Sequence, residues 1–174
     1  MNRRINNRKG MTLLELIIAS SMLAMLLTAV TVVLRTAHSA WQAEEGDFAK
    51  LQSLQATLRQ IVRQVRQAGA VTAISAANNT SGSLTITLWD GSSLSWARDN
   101  ATNNVYCDPN SPPTQLLATD ITSLTFAGYM ADGVTLAATP DQIHSLQIQA
   151  QVQLPRETNG ARTITTWVWL RSWH

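Results

Sequence analysis

Glu15 is the residue whose type and place most constrain the chemistry of this chain. It is the one charge in an apolar run from Met11 to Leu34. A charged side chain at the centre of a membrane helix costs on the order of 2.5–3.5 kcal/mol, and less near an end, where it can reach the interface. Such a carboxylate calls for a cation, and a cation supplied by a neighbouring chain would fix the axial position of one molecule against the next. The residues that could support catalysis do not converge. His38, His144 and His174 are scattered without metal-like spacing, no glycine loop suits a phosphate, and no Ser or Cys has a visible base. Cys107 is the single cysteine, in a polar, Pro-containing stretch read as a loop from Arg98 to Thr114, and it cannot close an internal disulfide. No enzymatic activity, no cofactor and no metal is expected.

The element that positions Glu15 must be a long helix. From Met11 to Leu34, a rise of about 1.5 Å per residue gives about 36 Å, enough for a bilayer core of roughly 30 Å. Arg3, Arg4, Arg8 and Lys9 precede this span with no acid among them, whereas Arg35 and then Glu44, Glu45 and Asp47 follow it. That asymmetry keeps the N-terminus cytoplasmic and sends the remainder across the membrane. An ordinary secretory signal fits poorly. Its apolar region should run about 7–15 residues and end in a small-residue site, whereas this one is longer, carries Glu15, and offers only Ala37-His-Ser-Ala40.

Lys9-Gly10 followed by Met11-Thr-Leu-Leu-Glu15-Leu resembles the processing site of the type IV prepilin superfamily. Four features coincide: a short basic leader, glycine at the scissile bond, glutamate as the fifth residue beyond it, and an apolar helix with no second charge. The resemblance implies that a prepilin peptidase cuts after Gly10 and methylates the new N-terminus at Met11, where the family more often has Phe. It also implies that the free amine of Met11 on a neighbouring subunit is the cation that meets Glu15. Residues 1–10 then form a cleaved leader, 11–34 the transmembrane part of the helix, 35–69 its amphipathic part, and 70–174 a sheet domain. Of 13 basic residues four lie in the leader and of 11 acidic residues none does, leaving 9 against 11 and a mature net charge of about −2. The basic balance of the whole chain therefore gives no reason to expect nucleic acid as a partner.

Beyond the span, Phe48, Leu51, Leu54, Leu58, Ile61, Val65 and Ala68 recur every three or four residues and mark one apolar face. No proline interrupts Arg35 to Ala68 and Gly69 is a stop signal, so the spacing predicts one helix of about 58 residues. Glu44, Glu45 and Asp47 form an acidic cluster on it, and Arg59, Arg63 and Arg66 form a basic stripe. These charges either lie on a solvated face or pair between subunits whose helices stack with an axial offset.

After Gly69 the chain turns to short alternating runs. Ser83–Trp89 and Ser93–Ala97 predict a hairpin around Asp90-Gly91, with a three-residue connection through Ser92 that sets Leu88 opposite Leu94 and Ile86 opposite Trp96. Strands are expected over Ile121–Met130, Val134–Ala137 after a turn at Asp132-Gly133, Ile143–Leu154 and Arg162–Trp173. In Ile143–Leu154 aliphatic residues alternate with four glutamines, so one face is core and the other wet. In the last strand Ile164, Val168 and Leu170 share one face, leaving Trp167, Trp169, Arg171 and Trp173 on the other. That face is a second small core covered by the 98–114 loop or the helix, a partner interface of the Trp and Arg kind, or a glycan-stacking surface. The fold class is α+β: a long N-terminal helix, transmembrane then amphipathic, packed on a C-terminal antiparallel sheet.

Leu116–Phe126, Ile143–Ile148, Thr165–Arg171 and the helix end Leu58–Gly69 are similar to minor pseudopilin J of type II secretion and its minor-pilin relatives. The absence of paired C-terminal cysteines, and of any proline before Pro109, favours a low-copy subunit. The resemblance implies a single-pass inner-membrane protein with a periplasmic or extracytoplasmic domain. Its partners would be prepilin peptidase, other minor and major pilins or pseudopilins, and membrane lipid, and it would initiate or cap a pseudopilus. A minor pilin of a type IV pilus, or an anchored binding module or sensor that does not assemble, shares the same architecture.

Overall fold

The computed structural model describes residues 12–154 and 160–170. Helix α1 runs from Leu13 to Val65, 53 residues, and the chain divides after Gln42 into two compact units. In the first unit every described side chain of the helix is exposed. Its hydroxyls are nevertheless satisfied internally. Ser20 and Ser21 donate to the carbonyls of Ile17 and Ile18, and Thr28 and Thr31 to those of Ala24 and Leu27. A helix in hydrocarbon requires this, since an unpaired polar group there costs several kcal/mol.

Among the described residues, the second unit holds the rest of α1 and eight strands. β1 (Ala68–Ile74), β2 (Ser83–Leu88), β3 (Ser93–Arg98), β4 (Val105–Asp108) and β5 (Leu116–Ala118) form a five-stranded antiparallel meander in that order. β6 (Ile121–Tyr129), β7 (Ser145–Gln153) and β8 (Ala161–Trp169) form a three-stranded one. Antiparallel strands packed with a helix are as expected, but they make two sheets and not one. The change of sheet falls at Asp120, whose φ of 63° turns the chain between β5 and β6.

The sheets are stitched near that corner. Gly82 donates its N–H to the Leu124 carbonyl at 2.8 Å, Leu124 donates to Thr80 at 2.9 Å, and Ser81 bridges Leu124 in parallel. Leu54, Leu58, Ile61 and Val65 of α1 join residues of both sheets, among them Trp96, Phe126 and Ile148, in one buried core.

Several local expectations shift. α1 ends at Val65, not beside Gly69, because Ala68 is fully buried and pairs with Leu88 in β1, so strand pairing overrides the helical pattern. The β2–β3 hairpin forms, but in another register. Ile86 faces Leu94 and Leu84 faces Trp96. The loop has three residues as expected, yet they are Trp89, Asp90 and Gly91, with Gly91 at φ 84° in the left-handed position such a loop requires. Sliding the pairing by two keeps every apolar residue on its face, so hydrophobicity alone could not choose between the two registers. Asp90 Oδ1 accepts the Ser92 N–H at 2.9 Å and locks the choice.

The presumed loop from Arg98 to Thr114 contains β4, and Cys107 is a buried strand residue. Val134–Ala137 contributes only an isolated bridge, Tyr129 to Leu136. Phe48 has the spacing of the apolar face but is 69% exposed, so that face begins at the partly buried Leu51.

Candidate functional site

The start of α1 is built from Thr12 and Glu15. Thr12 lies just before the first helical residue, and its Oγ1 accepts the Glu15 backbone N–H at 3.3 Å. Thr12-Leu-Leu-Glu15 is thus a capping-box pattern, with the glutamate at the third helical position. A carboxylate there also faces the positive end of the helix dipole, worth about 0.3–1 kcal/mol at an exposed site. The Thr-x-x-Glu spacing is the sequence signal that marks Thr12 as the cap. Gly10 and Met11 lie outside the described residues.

Further along α1, Glu44 and Glu45 are exposed and Asp47 is half-buried, with its Oδ1 shielded and without a hydrogen-bond partner among the described residues. Arg59, Arg63 and Arg66 are exposed, and among the described residues none of them pairs with an acid. Among the described residues no ion pair joins the arginine stripe to the acidic cluster. Lys50 instead reaches Asp120 at 3.4 Å, tying α1 to the corner between the sheets.

Trp167 and Trp169 are 44% and 58% exposed, so neither sits in a second small core. Trp167 leans on Tyr129 with ring centroids 4.9 Å apart. Trp169 lies over Gly133, where an added Cβ would come within 3.4 Å of the indole. Arg171 and Trp173 lie outside the described residues. Between β8 and the adjoining face of α1 runs an open groove of about 1090 Å³, lined on the helix side by Arg59, Arg63 and Arg66 and on the sheet side by Ile164 to Leu170. The arginine stripe and the tryptophans, separated by about a hundred positions in sequence, thereby border one surface.

Three structural residues carry no signal in the periodicity. Arg98 is buried and its guanidinium donates to the Ile121 carbonyl at 2.6 Å, and to Ser81 Oγ and Asn100 Oδ1 at 3.1 Å each. It is a cation satisfied by neutral acceptors, and burial lowers its pKa. Gly82 admits no side chain, since a Cβ there would lie 2.5 Å from the Leu124 carbonyl oxygen.

Asp108 organises the turn that follows β4, accepting the Thr114 hydroxyl at 2.7 Å and the backbone N–H groups of Thr114, Asn110 and Gln115. Those donors, the Thr114 hydroxyl first, hold its pKa at about 2. Burial, and then the neighbouring Asp108 charge, push the Cys107 thiol up to about 11, which makes it a poor nucleophile at neutral pH.

Residues 5–31 match the family model of the prokaryotic N-terminal methylation motif. No curated protein and no solved structure matches the chain. The motif supports a place in the type IV prepilin-like superfamily. It implies processing by prepilin peptidase and assembly with other pilins, and together with the long apolar helix it fits an inner-membrane anchor.

Proposed function

We infer, starting from a chain that carries a type IV pilin-like N-terminus, that the protein is a structural subunit and not an enzyme: a minor pseudopilin that initiates or caps a type II secretion pseudopilus. The observation that carries this reading is the methylation motif at residues 5–31 running into a capped, apolar helix with a single carboxylate. Prepilin peptidase cuts after Gly10 and methylates Met11. The N-terminus faces the cytoplasm and the sheet domain lies outside the inner membrane.

The electrostatics of Glu15 support the same reading. Before assembly the capped helix start and the membrane interface keep the carboxylate tolerable. After cleavage, the Met11 amine of an adjacent protomer lies at the matching depth, and the pair is stronger in lipid than in water because the dielectric is low. Glu44, Glu45 and Asp47 supply further, screened contacts to cations of neighbouring subunits. The choice of type II secretion over a type IV pilus rests on the likeness of the C-terminal strands and of the helix end Leu58–Gly69.

The test is intact-mass measurement of the protein taken from native membranes, in wild type and in a peptidase-deficient strain. The expected wild-type species lacks Met1–Gly10 and carries one added methyl group at Met11, and the peptidase-deficient strain retains the leader. A wild-type protein with its leader still attached overturns the reading. Glu15→Ala is expected to be cleaved normally yet depleted from filaments.

A further inference from the structure

We propose that the free edge of β8 accepts an extended, acid-bearing strand from a neighbouring pilin-like subunit, seated in the groove between β8 and the arginine stripe of α1. The proposal rests on the pilin-like reading above and adds to it the partner's local conformation and charge.

β8 is the outer strand of its sheet, and its pairing with β7 runs from Ser145–Trp169 to Gln153–Ala161 without a register shift. Leu154 donates to Gly160 and Leu170 donates to His144, which places the hydrogen bonds to β7 on the even-numbered residues of β8. In an antiparallel ladder the alternate residues then turn their N–H and C=O groups the other way. Thr163, Thr165, Trp167 and Trp169 therefore present a regular row of backbone donors and acceptors away from β7, with no other backbone partner among the described residues; Thr165, Trp167 and Trp169 line the groove and Thr163 lies just beyond its end.

Natural edge strands are usually blunted by bulges, proline, brevity or charge. The other edges of this protein follow that rule. β1 carries two register shifts, β5 has three residues, and β6 has a register shift where it runs beside the Ser81–Leu124 bridge. β8 has neither proline nor bulge, and Arg162 is its one charged residue. An edge left this open is a template for strand addition.

The groove also states the partner's charge. Among the described residues, Arg59, Arg63 and Arg66 line it and no acid does. On an added strand, residues two apart are about 6.8 Å from one another, close to the axial rise of about 6 Å from Arg59 to Arg63. Acids at alternate positions would meet successive arginines, and the residues between them would turn toward the opposite face. A helix, whose backbone groups are already bonded internally, could satisfy the arginines but not the β8 edge. The protein's own acids at Glu44, Glu45 and Asp47 are helical, so a second copy offering that cluster is not the occupant.

The test uses the full-length chain in native membranes, with a photo-cross-linking amino acid at exposed Thr163 and, as a control, at exposed Gln149 on the outer face of the sheet. Adducts at Thr163 are expected to map by mass spectrometry to one non-helical segment of another pilin-like subunit, with Asp or Glu at alternate positions. Thr165→Pro deletes an outward N–H at a position where an edge strand tolerates proline. It is expected to lower the adduct yield about tenfold or more, as is the double reversal Arg59→Glu and Arg63→Glu, while Thr165→Ala leaves it unchanged.

Protection of the Cys107 thiol reports whether each variant is folded, and the exposed arginine reversals carry the test should the proline variant unfold. Adducts confined to a partner helix, to lipid or to glycan overturn the proposal, as does an unchanged yield in folded Thr165→Pro. A cleaved chain that enters filaments without forming the adduct overturns the groove assignment and leaves the pilin-like reading standing. A retained leader overturns that reading first.

Discussion

Gly82, Arg98 and Asp108 hold the two sheets and their loops in place, and each does so through polar contacts that no hydrophobic pattern encodes. A Cβ at Gly82 would press on the Leu124 carbonyl oxygen, part of a strand backbone that cannot swing aside. Gly82→Ala is expected to destabilise the protein by about 1–3 kcal/mol, read as a lower midpoint in urea. Asp108 has its folded pKa held near 2, below the ordinary value of about 3.9 expected when unfolded. Its contribution to stability is therefore complete above about pH 4 and is lost as pH falls through 2. Asp108→Asn is expected to lower stability at pH 7 and to flatten the dependence between pH 4 and 2, measured as urea midpoints across that range. Glu15 was readable from the sequence because a charge in an apolar run stands out. Asp108 was not, because an Asp in a Pro-containing stretch looks like any turn residue until its four donors are assembled around it.

Helix α1 and the hairpin show how far spacing alone carries at the level of elements. Three-to-four periodicity identified Leu54, Leu58, Ile61 and Val65, all of which enter the core. The same periodicity also selected Phe48, which lies beyond the end of the packed surface and is exposed. Leu58→Ala should therefore cost about 2–5 kcal/mol, whereas Phe48→Ala should fall within about 0.5 kcal/mol of wild type. Equal losses in chemical denaturation would contradict this placement of the helix. In β2–β3 the alternation fixed which residues face inward but not which face each other, because a slip of two preserves alternation and the Gly91 conformation decides. β4 leaves no pattern in the sequence for a related reason: four residues between Asn104 and Pro109 are too few for a period to show.

For the whole molecule, the division after Gln42 separates an exposed apolar helix from a unit with a complete core. A fragment beginning at Ala43 keeps every helical core residue and is expected to unfold cooperatively in one transition, followed by circular dichroism and by the accessibility of Cys107. A fragment beginning at Arg66 removes Leu54, Leu58, Ile61 and Val65 and is expected to lose cooperative unfolding and to expose that thiol. The membrane-compatible helix, its lone carboxylate, the methylation motif and the α+β class were determined by the sequence alone, because each is local: a run of apolar residues, a fixed spacing, a period of 3.6 or 2. The split into two sheets, the hairpin register and the meeting of Arg59, Arg63 and Arg66 with the open edge of β8 were decided only in three dimensions. They depend on which distant backbone groups find one another, and side-chain periodicity records which way a residue faces but not what it faces.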